Sequence, residues 1–253
     1  MKLKFRNIVS MLSLFFLILN FNCDRSDPYS SDNNANVQQL QPLAIFNLSI
    51  SEPSGIAYNS KNNTLMIVSD ASSDIYETDL TGNVLRTIST TSSDMEGITL
   101  SINCDTIFVV EEKNKLVTAY LLSGARLNSF LVDVSVNSNH ALEGITRNNS
   151  NGHLIVLNEK QPSMLLEFDG TTEIWRKKLN YSTDISDVFY EQQSDLFWIV
   201  SDESKKILKL SYNTNLIGEW MIPIQQGEGI TIVKDKIYIV SDVECKLYVI
   251  QKP

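Results

Sequence analysis

The chain has 253 residues and a formal net charge of −9 at pH 7, from 21 basic and 30 acidic residues. A nucleic-acid groove needs clustered lysine and arginine, so this balance argues against a nucleic-acid partner and favours an acidic surface that can bind cations. The length and the 43% hydrophobic content are sufficient for one substantial core.

The first 22 residues have the pattern of an export signal. Lys2, Lys4 and Arg6 form a basic stretch, and an uncharged run follows over residues 8–21. At about 1.5 Å per residue this run is short for a bilayer, which favours a signal peptide over residues 1–22.

Cys23 follows this run directly, which predicts lipid attachment at Cys23 after cleavage. Residues 19–22 lack the small residue that usually precedes a lipoprotein cysteine, so an uncleaved anchor and a secreted protein with an unusual cleavage site are the alternatives. Residues 23–42 are rich in Ser, Asn, Asp and Gln and hold few large apolar side chains. Because such a segment cannot offset its ordering entropy by burial, we interpret it as a lipid-anchored flexible tether.

A motif typified by Glu-Gly-Ile-Thr recurs in the remaining residues 43–253. It lies at 52–57, 94–99, 141–146, 184–189 and 227–231. After a polar turn, an apolar run ending in an acid follows each copy, at 65–70, 107–112, 154–159, 197–202 and 237–242. The terminal acids of these runs recur every 40 to 47 residues, a period typical of repeat architectures.

Each unit continues with two more strand-like stretches, which gives four antiparallel strands per unit. The fifth unit has only three strands, whereas residues 43–50 supply a spare strand before the first unit. We therefore predict an all-β fold, a five-bladed β-propeller of four-stranded blades whose N-terminal strand closes the last blade. A six-bladed ring and tandem β-sandwiches are the alternatives. Cys104 and Cys245 fall in blades that are not neighbours, which argues against a disulfide.

The first two strands of each unit are antiparallel, so the start of the first and the end of the second lie at one face of the ring. The first-strand residues at this face, here called the axial positions, are Ser54, Glu96, Glu143, Ser186 and Glu228. The residues that end the second strands, here called the strand-end acids, are Asp70, Glu112, Glu159, Asp202 and Asp242.

Eight of these ten residues are carboxylates. Negative charges so close to one another are stabilised by a bound cation. Hard oxygen ligands in this number favour Ca²⁺, so the predicted metal ligands are Glu96, Glu143, Glu228, Asp70, Glu112, Glu159, Asp202 and Asp242. Two alternatives are structural. The glycine of the motif has a packing role at the crowded axis, and a strand-end acid can accept hydrogen bonds from the next loop.

The histidines and tryptophans suggest no catalytic site. His140 is expected on the acidic face and His153 in a surface turn of the opposite face, while the tryptophans are expected to pack between blades. The sequence contains no Gly-rich phosphate loop, serine nucleophile elbow or zinc pattern. It therefore names no catalytic residue, and it favours a non-enzyme without excluding an enzyme.

The segments EPSGIAY, DMEGIT, HALEGITRNNSNGHLIVLNEKQPSMLLEFD, FWIVSDESKKILKL and GEGITIVKDKIYIVSD resemble the SdiA-regulated (YjiK-like) family of bacterial envelope propellers. The resemblance covers essentially residues 50–253. It implies a propeller fold and a location in the cell envelope, and it implies no firm activity. Asp187 departs from the family pattern, which has glycine there, so its side chain is expected to reach into the channel.

Together these features predict a monomeric lipoprotein on the periplasmic or outer surface of the cell envelope. We expect it to be held at the membrane by its lipid anchor and to bind an unknown ligand or protein partner, with a divalent cation at its acidic face. The alternatives are a Ca²⁺-dependent hydrolase of phosphoesterase or lactonase type and a purely structural assembly module.

Overall fold

The computed structural model describes residues 37–135 and 141–253, so the predicted signal peptide, Cys23 and His140 lie outside the described residues. Within these ranges every regular element is a strand, and no helix has the length and apolar character needed to cross a membrane. The strands are Pro42–Asn47 (β1), Pro53–Asn59 (β2), Thr64–Ser69 (β3), Asp74–Thr78 (β4), Val84–Ser89 (β5), Met95–Leu100 (β6), Thr106–Glu111 (β7), Leu116–Leu121 (β8), Arg126–Leu131 (β9), Leu142–Arg147 (β10), Leu154–Asn158 (β11), Met164–Asp169 (β12), Thr172–Lys178 (β13), Asp187–Glu191 (β14), Leu196–Ser201 (β15), Lys206–Ser211 (β16), Leu216–Met221 (β17), Gly227–Val233 (β18), Lys236–Ser241 (β19) and Lys246–Gln251 (β20).

The strands form five antiparallel sheets of four, which are the blades of a five-bladed propeller. Blades one to four are β2–β5, β6–β9, β10–β13 and β14–β17, each in chain order. The first strand of each blade contacts the first strand of the next blade, and β18 contacts β2, so the ring is closed. The prediction of an all-β propeller with five blades is confirmed.

Blade five is completed by the start of the chain. Its order is β1-β20-β19-β18, with Ile45 opposite Tyr248 and Asn47 opposite Lys246. The predicted closure by an N-terminal strand is therefore confirmed, and it leaves no blade with an unpaired third strand.

Ordered contacts begin before β1, inside the segment interpreted as a tether. Leu40 is buried, and its N–H donates to the carbonyl of Met221 at 2.9 Å. The N–H of Met221 donates in turn to the carbonyl of Gln38 at 3.0 Å. Residues 38–40 thus lie along the end of β17 and connect blade four to blade five.

The core consists of five apolar clusters, one between each pair of adjacent blades. Trp198 is fully buried in the cluster between blades four and five, and it stacks on Trp220 with 5.7 Å between ring centroids. Each fully buried aliphatic or aromatic side chain contributes about 1.5–3 kcal/mol. The tryptophans therefore pack between blades, as predicted. Cys104 and Cys245 are both free thiols, also as predicted.

Four glycines and one aspartate form a tight ring where the innermost strands meet. A Cβ added to Gly97 would lie 2.8 Å from the Cα of Gly144, and one added to Gly55 would lie 2.9 Å from the Cα of Gly97. On Gly144 the added atom would lie 2.9 Å from the Cα of Asp187. Since these backbones touch, the ring closes the axis at this level, and the packing role of the motif glycine holds.

Asp187 occupies the ring position that glycine fills in the other blades. Its side chain is fully buried, and its Oδ1 accepts the N–H of Val188 at 2.8 Å. Its Oδ2 accepts the N–H of Ile230, in blade five, at 2.9 Å. Burial raises the pKa of this carboxyl well above its usual range, while the N–H donors act in the opposite direction. The carboxyl reaches into the axis and ties blade four to blade five.

We predict that Gly97→Ala destabilises the propeller, because the new methyl group meets backbone atoms that cannot move independently. Overpacking of this kind typically lowers the free energy of unfolding by about 1–3 kcal/mol. Gly227→Ala is the matched control, since its added Cβ would make an ordinary contact of 3.4 Å. Urea unfolding followed by tryptophan fluorescence measures both. Equal stability of the two variants would contradict the tight ring.

Candidate functional site

All ten predicted positions line one cavity of about 310 Å³ on one face of the ring, here called the acidic cavity. Glu52, Asp184 and Glu203 also line it, although the sequence analysis did not name them. Among the described residues that line the cavity, eleven have carboxylate side chains and one, Lys160, has a basic side chain. The predicted grouping of these side chains on one face is therefore observed.

A β-bulge in each of three blades turns the axial glutamate of that blade toward the axis. In β6 the register shifts between Met95 and Gly97, so Glu96 is an extra residue without a partner on β7. Glu143 in β10 and Glu228 in β18 stand at the same shift. A bulge changes the direction of the inserted residue's side chain. The same bulge therefore places the glycine in the ring at the axis and turns the glutamate before it toward the cavity.

The two axial serines hold the ring together. Ser54 stands in the bulge of β2, and its hydroxyl donates to the carbonyl of Met95 at 2.5 Å. Blade four has no such bulge, since β14 begins at Asp187 and Ser186 precedes it. The N–H of Ser186 donates to the carbonyl of Val200 at 2.9 Å. At its axial position blade four therefore contributes a serine rather than a carboxylate, and its acids at this face come from the turns, at Asp184, Asp202 and Glu203.

The backbone before the bulge is left-handed in three blades. The φ angles are 46° at Glu52, 57° at Asp94 and 42° at Gln226, two residues before the axial position in each case. Residues other than glycine adopt this conformation at a cost, and such residues concentrate at binding and catalytic sites. The rim of the acidic cavity is therefore built from strained turns held by the neighbouring strands.

The strand-end acids divide between the two roles considered for them. Glu112 Oε1 accepts the N–H of Ala141 at 3.4 Å, and Asp202 accepts a backbone N–H of the next blade in the same way. In blades one and five the serine before the acid binds the loop instead, through the hydroxyls of Ser69 and Ser241. Loop fixing is thus shared between acids and serines.

Burial and mutual repulsion raise the pKa values of the axial glutamates. For Glu96 burial is the largest cause, followed by the charge of Asp70, and for Glu143 burial is followed by the charge of Glu96. Burial, and then the charge of Asp202, raises the pKa of Glu228 to about 8. Burial and repulsion of this kind favour the protonated form of these glutamates unless a cation balances their charge.

The strand-end acids are affected in the same direction. Burial, and then the charge of Glu52, raises the pKa of Asp70 to about 6. Burial is also the largest cause that raises the pKa values of Glu112, Asp202 and Asp242. The site as a whole is therefore short of positive charge.

Two groups of three carboxylates come close enough to share a metal ion. Oxygens of Asp94, Glu96 and Glu112 lie within 4.8 Å of one another, and so do those of Glu112, Glu143 and Glu159. Glu112 belongs to both groups. The structure brings no third group of this kind together among the described residues, and four predicted ligands line the cavity outside these groups, namely Asp70, Asp202, Glu228 and Asp242.

A lysine contacts the outer acid of each group. Lys113 forms an ion pair with Asp94, and Lys160 lies 2.6 Å from Glu159. For Glu96 and Glu143 the largest charge effects come from neighbouring acids, and these raise both pKa values. A divalent cation at either group would bind next to these two glutamates.

The sequence analysis missed Asp94, which completes the first group. Its signal was present, since an acid precedes the axial position by two residues in three units, at Glu52, Asp94 and Asp184. His153 lies in the expected turn before β11, where it is half-buried. Its Nδ1 lies 2.7 Å from Oε1 of Glu167, a buried carboxylate of blade three.

Solved structures similar to this chain are propellers of low sequence identity. A glutaminyl cyclase from Myxococcus xanthus gives a TM-score of 0.67 at 10% identity, over 85% of this chain and 97% of that chain. A nidogen/laminin complex gives 0.56 at 16% identity, over 75% and 72%. A catalytically inactive virginiamycin B lyase from Staphylococcus aureus with quinupristin gives 0.52 at 18% identity, over 79% of this chain and 66% of that chain. At these identities the likeness extends to the fold alone.

No curated protein matches the chain. A family model does match, over residues 39–251, which include the described residues of the acidic cavity and all twenty strands of the ring. The order of the axial motifs, the five blades and this match agree, and the chain belongs to the SdiA-regulated family.

Proposed function

We propose that this chain is a membrane-tethered propeller of the cell envelope, one that binds a ligand or partner at its acidic cavity with the help of a divalent cation. The observation that carries the proposal is the presence of two groups of three carboxylates that share Glu112. The proposed cation is Ca²⁺, because it accepts several carboxylate oxygens in flexible geometry.

The two groups differ in how well they are prepared for a cation. Glu112 is held by the N–H of Ala141, so the shared ligand is already oriented. Asp94 lies on a strained turn and carries Lys113 as its partner. A cation at the first group therefore competes with Lys113 for Asp94, and a cation at the second group competes with Lys160 for Glu159. Such a cation would expose coordination positions toward the open cavity, where an oxygen-rich ligand or a partner loop can complete them.

We predict that Ca²⁺ binds the full chain in nonionic detergent and that Glu112→Gln weakens this binding by about tenfold or more, because both groups lose a ligand. Isothermal calorimetry measures the affinity. Asp94→Asn removes one group and Glu143→Gln the other, so each is expected to retain part of the heat.

Glu219→Gln is the matched control, since Glu219 lies on the outer strand β17, away from the cavity, and pairs with Lys206. No heat from Ca²⁺, or equal affinity in Glu112→Gln and Glu219→Gln, would refute the metal site.

We predict that, without Ca²⁺, stability falls as the pH rises from about 5 to about 8. A carboxyl whose pKa is raised on folding binds more protons in the folded than in the unfolded state, so the free energy of unfolding decreases between its two pKa values. For Glu228 this window extends from its ordinary value to about 8. Ca²⁺ is expected to raise the melting temperature more at the upper end of the window than at the lower end.

Glu228→Gln removes one of the titrating groups and flattens the decline, whereas Glu219→Gln leaves it unchanged. Thermal unfolding across this pH range decides the matter. A melting temperature that rises with pH in the absence of Ca²⁺ would contradict the predicted direction.

The tether is proposed from the sequence, in which a basic stretch, an apolar run and Cys23 are followed by a polar segment. Cys23→Ser is predicted to move the protein from the membrane fraction to the soluble fraction and to abolish labelling by a palmitate analogue. Cys245→Ser is the control, since this thiol lies in blade five. Retention of membrane binding and label in Cys23→Ser would contradict lipidation at this residue.

A second candidate is a Ca²⁺-dependent hydrolase of a phosphoester or lactone. The observation favouring it is that burial raises the pKa values of Glu96, Glu143 and Glu112 within the two candidate metal groups, since acids with raised pKa values are better suited to donate and accept protons. In this alternative the axial glutamates bind the metal and a strand-end acid acts as the base. Turnover of a phosphoester and lactone panel that requires Ca²⁺ and is lost in Glu112→Gln would favour it over a binding protein.

A further inference from the structure

A second cavity, larger than the acidic one, opens on the other face of the ring. Its volume is about 420 Å³, and the far halves of the innermost strands and the turns after them line it. We call it the opposite cavity. Neither the motif nor the family match assigns a role to this end of the blades.

The two cavities are separate sites. The ring at Gly55, Gly97, Gly144 and Asp187 closes the axis between them, because a methyl group would not fit between these backbones. The carboxyl of Asp187 adds hydrogen bonds across the remaining gap toward blade five. A ligand in the opposite cavity therefore does not reach the carboxylate groups, and an inference about it does not depend on the proposed cation.

The walls of the opposite cavity combine apolar surface with hydroxyl groups. Phe189 and Tyr190 of β14 line one side, and Thr99 of β6 and Thr231 of β18 are also among the lining residues. A concave site with aromatic walls and a few convergent polar groups is the usual form of a small-molecule site. The shape and chemistry suit an organic molecule with a ring or short aliphatic body.

Charge in this cavity has the sign opposite to that of the acidic cavity. Arg147 of β10 lines it, and Lys234 lies exposed at its rim. Glu191 is the one acid among the described residues that line it, and its carboxylate is already bound to Lys252 and to the indole N–H of Trp198 at 3.1 Å. The net charge available to a ligand is therefore positive.

Arg147 has unused hydrogen-bonding capacity. One Nη donates to Oδ1 of Asn149 at 2.8 Å, but the buried Nε has no acceptor within the part of the chain that the structure describes. Asp105 is the acid whose charge acts on this guanidinium, and it is exposed and already accepts the hydroxyls of Ser101 and Thr106. A buried donor without an acceptor is costly, so an incoming acceptor gains free energy here.

We infer that the opposite cavity binds a small organic anion, with its carboxylate or an equivalent acidic group against Arg147 and its apolar body against Phe189. The guanidinium can hold a carboxylate through two parallel hydrogen bonds, which gives the site a preference for acids over neutral analogues. The site is a recognition site, and no covalent step is involved.

The test uses three probes with one ring and different charge, namely benzoate, benzyl alcohol and benzylamine. Saturation-transfer NMR and calorimetry on the full chain in nonionic detergent are expected to detect benzoate binding. Benzylamine is expected to bind about tenfold more weakly or not at all. Equal binding of all three probes, or no binding of benzoate, would overturn the inference.

Two variants locate the site. Arg147→Met keeps the aliphatic stem and is expected to weaken benzoate binding about tenfold, while Lys234→Glu at the exposed rim is expected to weaken it several-fold without a risk to folding. Arg176→Met is the matched control, since Arg176 lies on the outer strand of the same blade and pairs with Glu173.

Glu112→Gln in the acidic cavity, and saturating Ca²⁺, are both expected to leave benzoate binding unchanged. Loss of benzoate binding in Glu112→Gln, or full binding in both Arg147→Met and Lys234→Glu, would overturn the assignment. Failure of the calcium experiment has no bearing on this outcome, so the two proposals fail separately.

Discussion

The close approach of five innermost strands at the axis is the constraint on which the rest of this structure depends. Where the strands touch, a Cβ would lie within about 3 Å of the neighbouring backbone, so glycine fills four of the five positions. The residue before each of these glycines is then displaced into a bulge in four blades. Packing at the axis thus determines where the glutamates of the acidic cavity point, and the motif combines a structural and a chemical requirement in adjacent residues.

Electrostatics makes the two ends of the axis different. At one end, burial and repulsion raise the pKa values of carboxyl groups that are fixed on rigid strands, an arrangement that reduces stability unless something positive balances it. At the other end, Arg147 has a donor without an acceptor. Sites that carry such a cost in the folded protein are the places where binding energy is available. One short axis therefore carries an acidic cavity at one end and a cavity with basic side chains at the other, on the same scaffold.

Most of the fold was predictable from the sequence because it depends on periodicity. Strand alternation and the spacing from Glu96 to Glu112 were sufficient to place the axial positions and strand-end acids at one face. The bulge was not predictable, because one inserted residue in a short strand leaves the alternation almost unchanged. Asp94 was not predicted although its spacing recurs, because it lies in the turn before β6, where strand alternation does not assign a side-chain direction. The environment of Arg147 and the Glu167–His153 pair depend on side-chain directions at the turns of blade three, and single-sequence patterns do not specify these.

The pairing of β1 with β20 also has a consequence for the time at which the protein can form. These strands lie about 200 residues apart in the chain, and the outer strand pair of blade five cannot form until both are present. A ribosome-bound chain can assemble blades one to four in order, but blade five remains incomplete until residue 251 has emerged. A stop codon or a proteolytic cut in the last turn before β20 would therefore leave β1 without its partner and blade five incomplete, although β18 would still have β2 beside it.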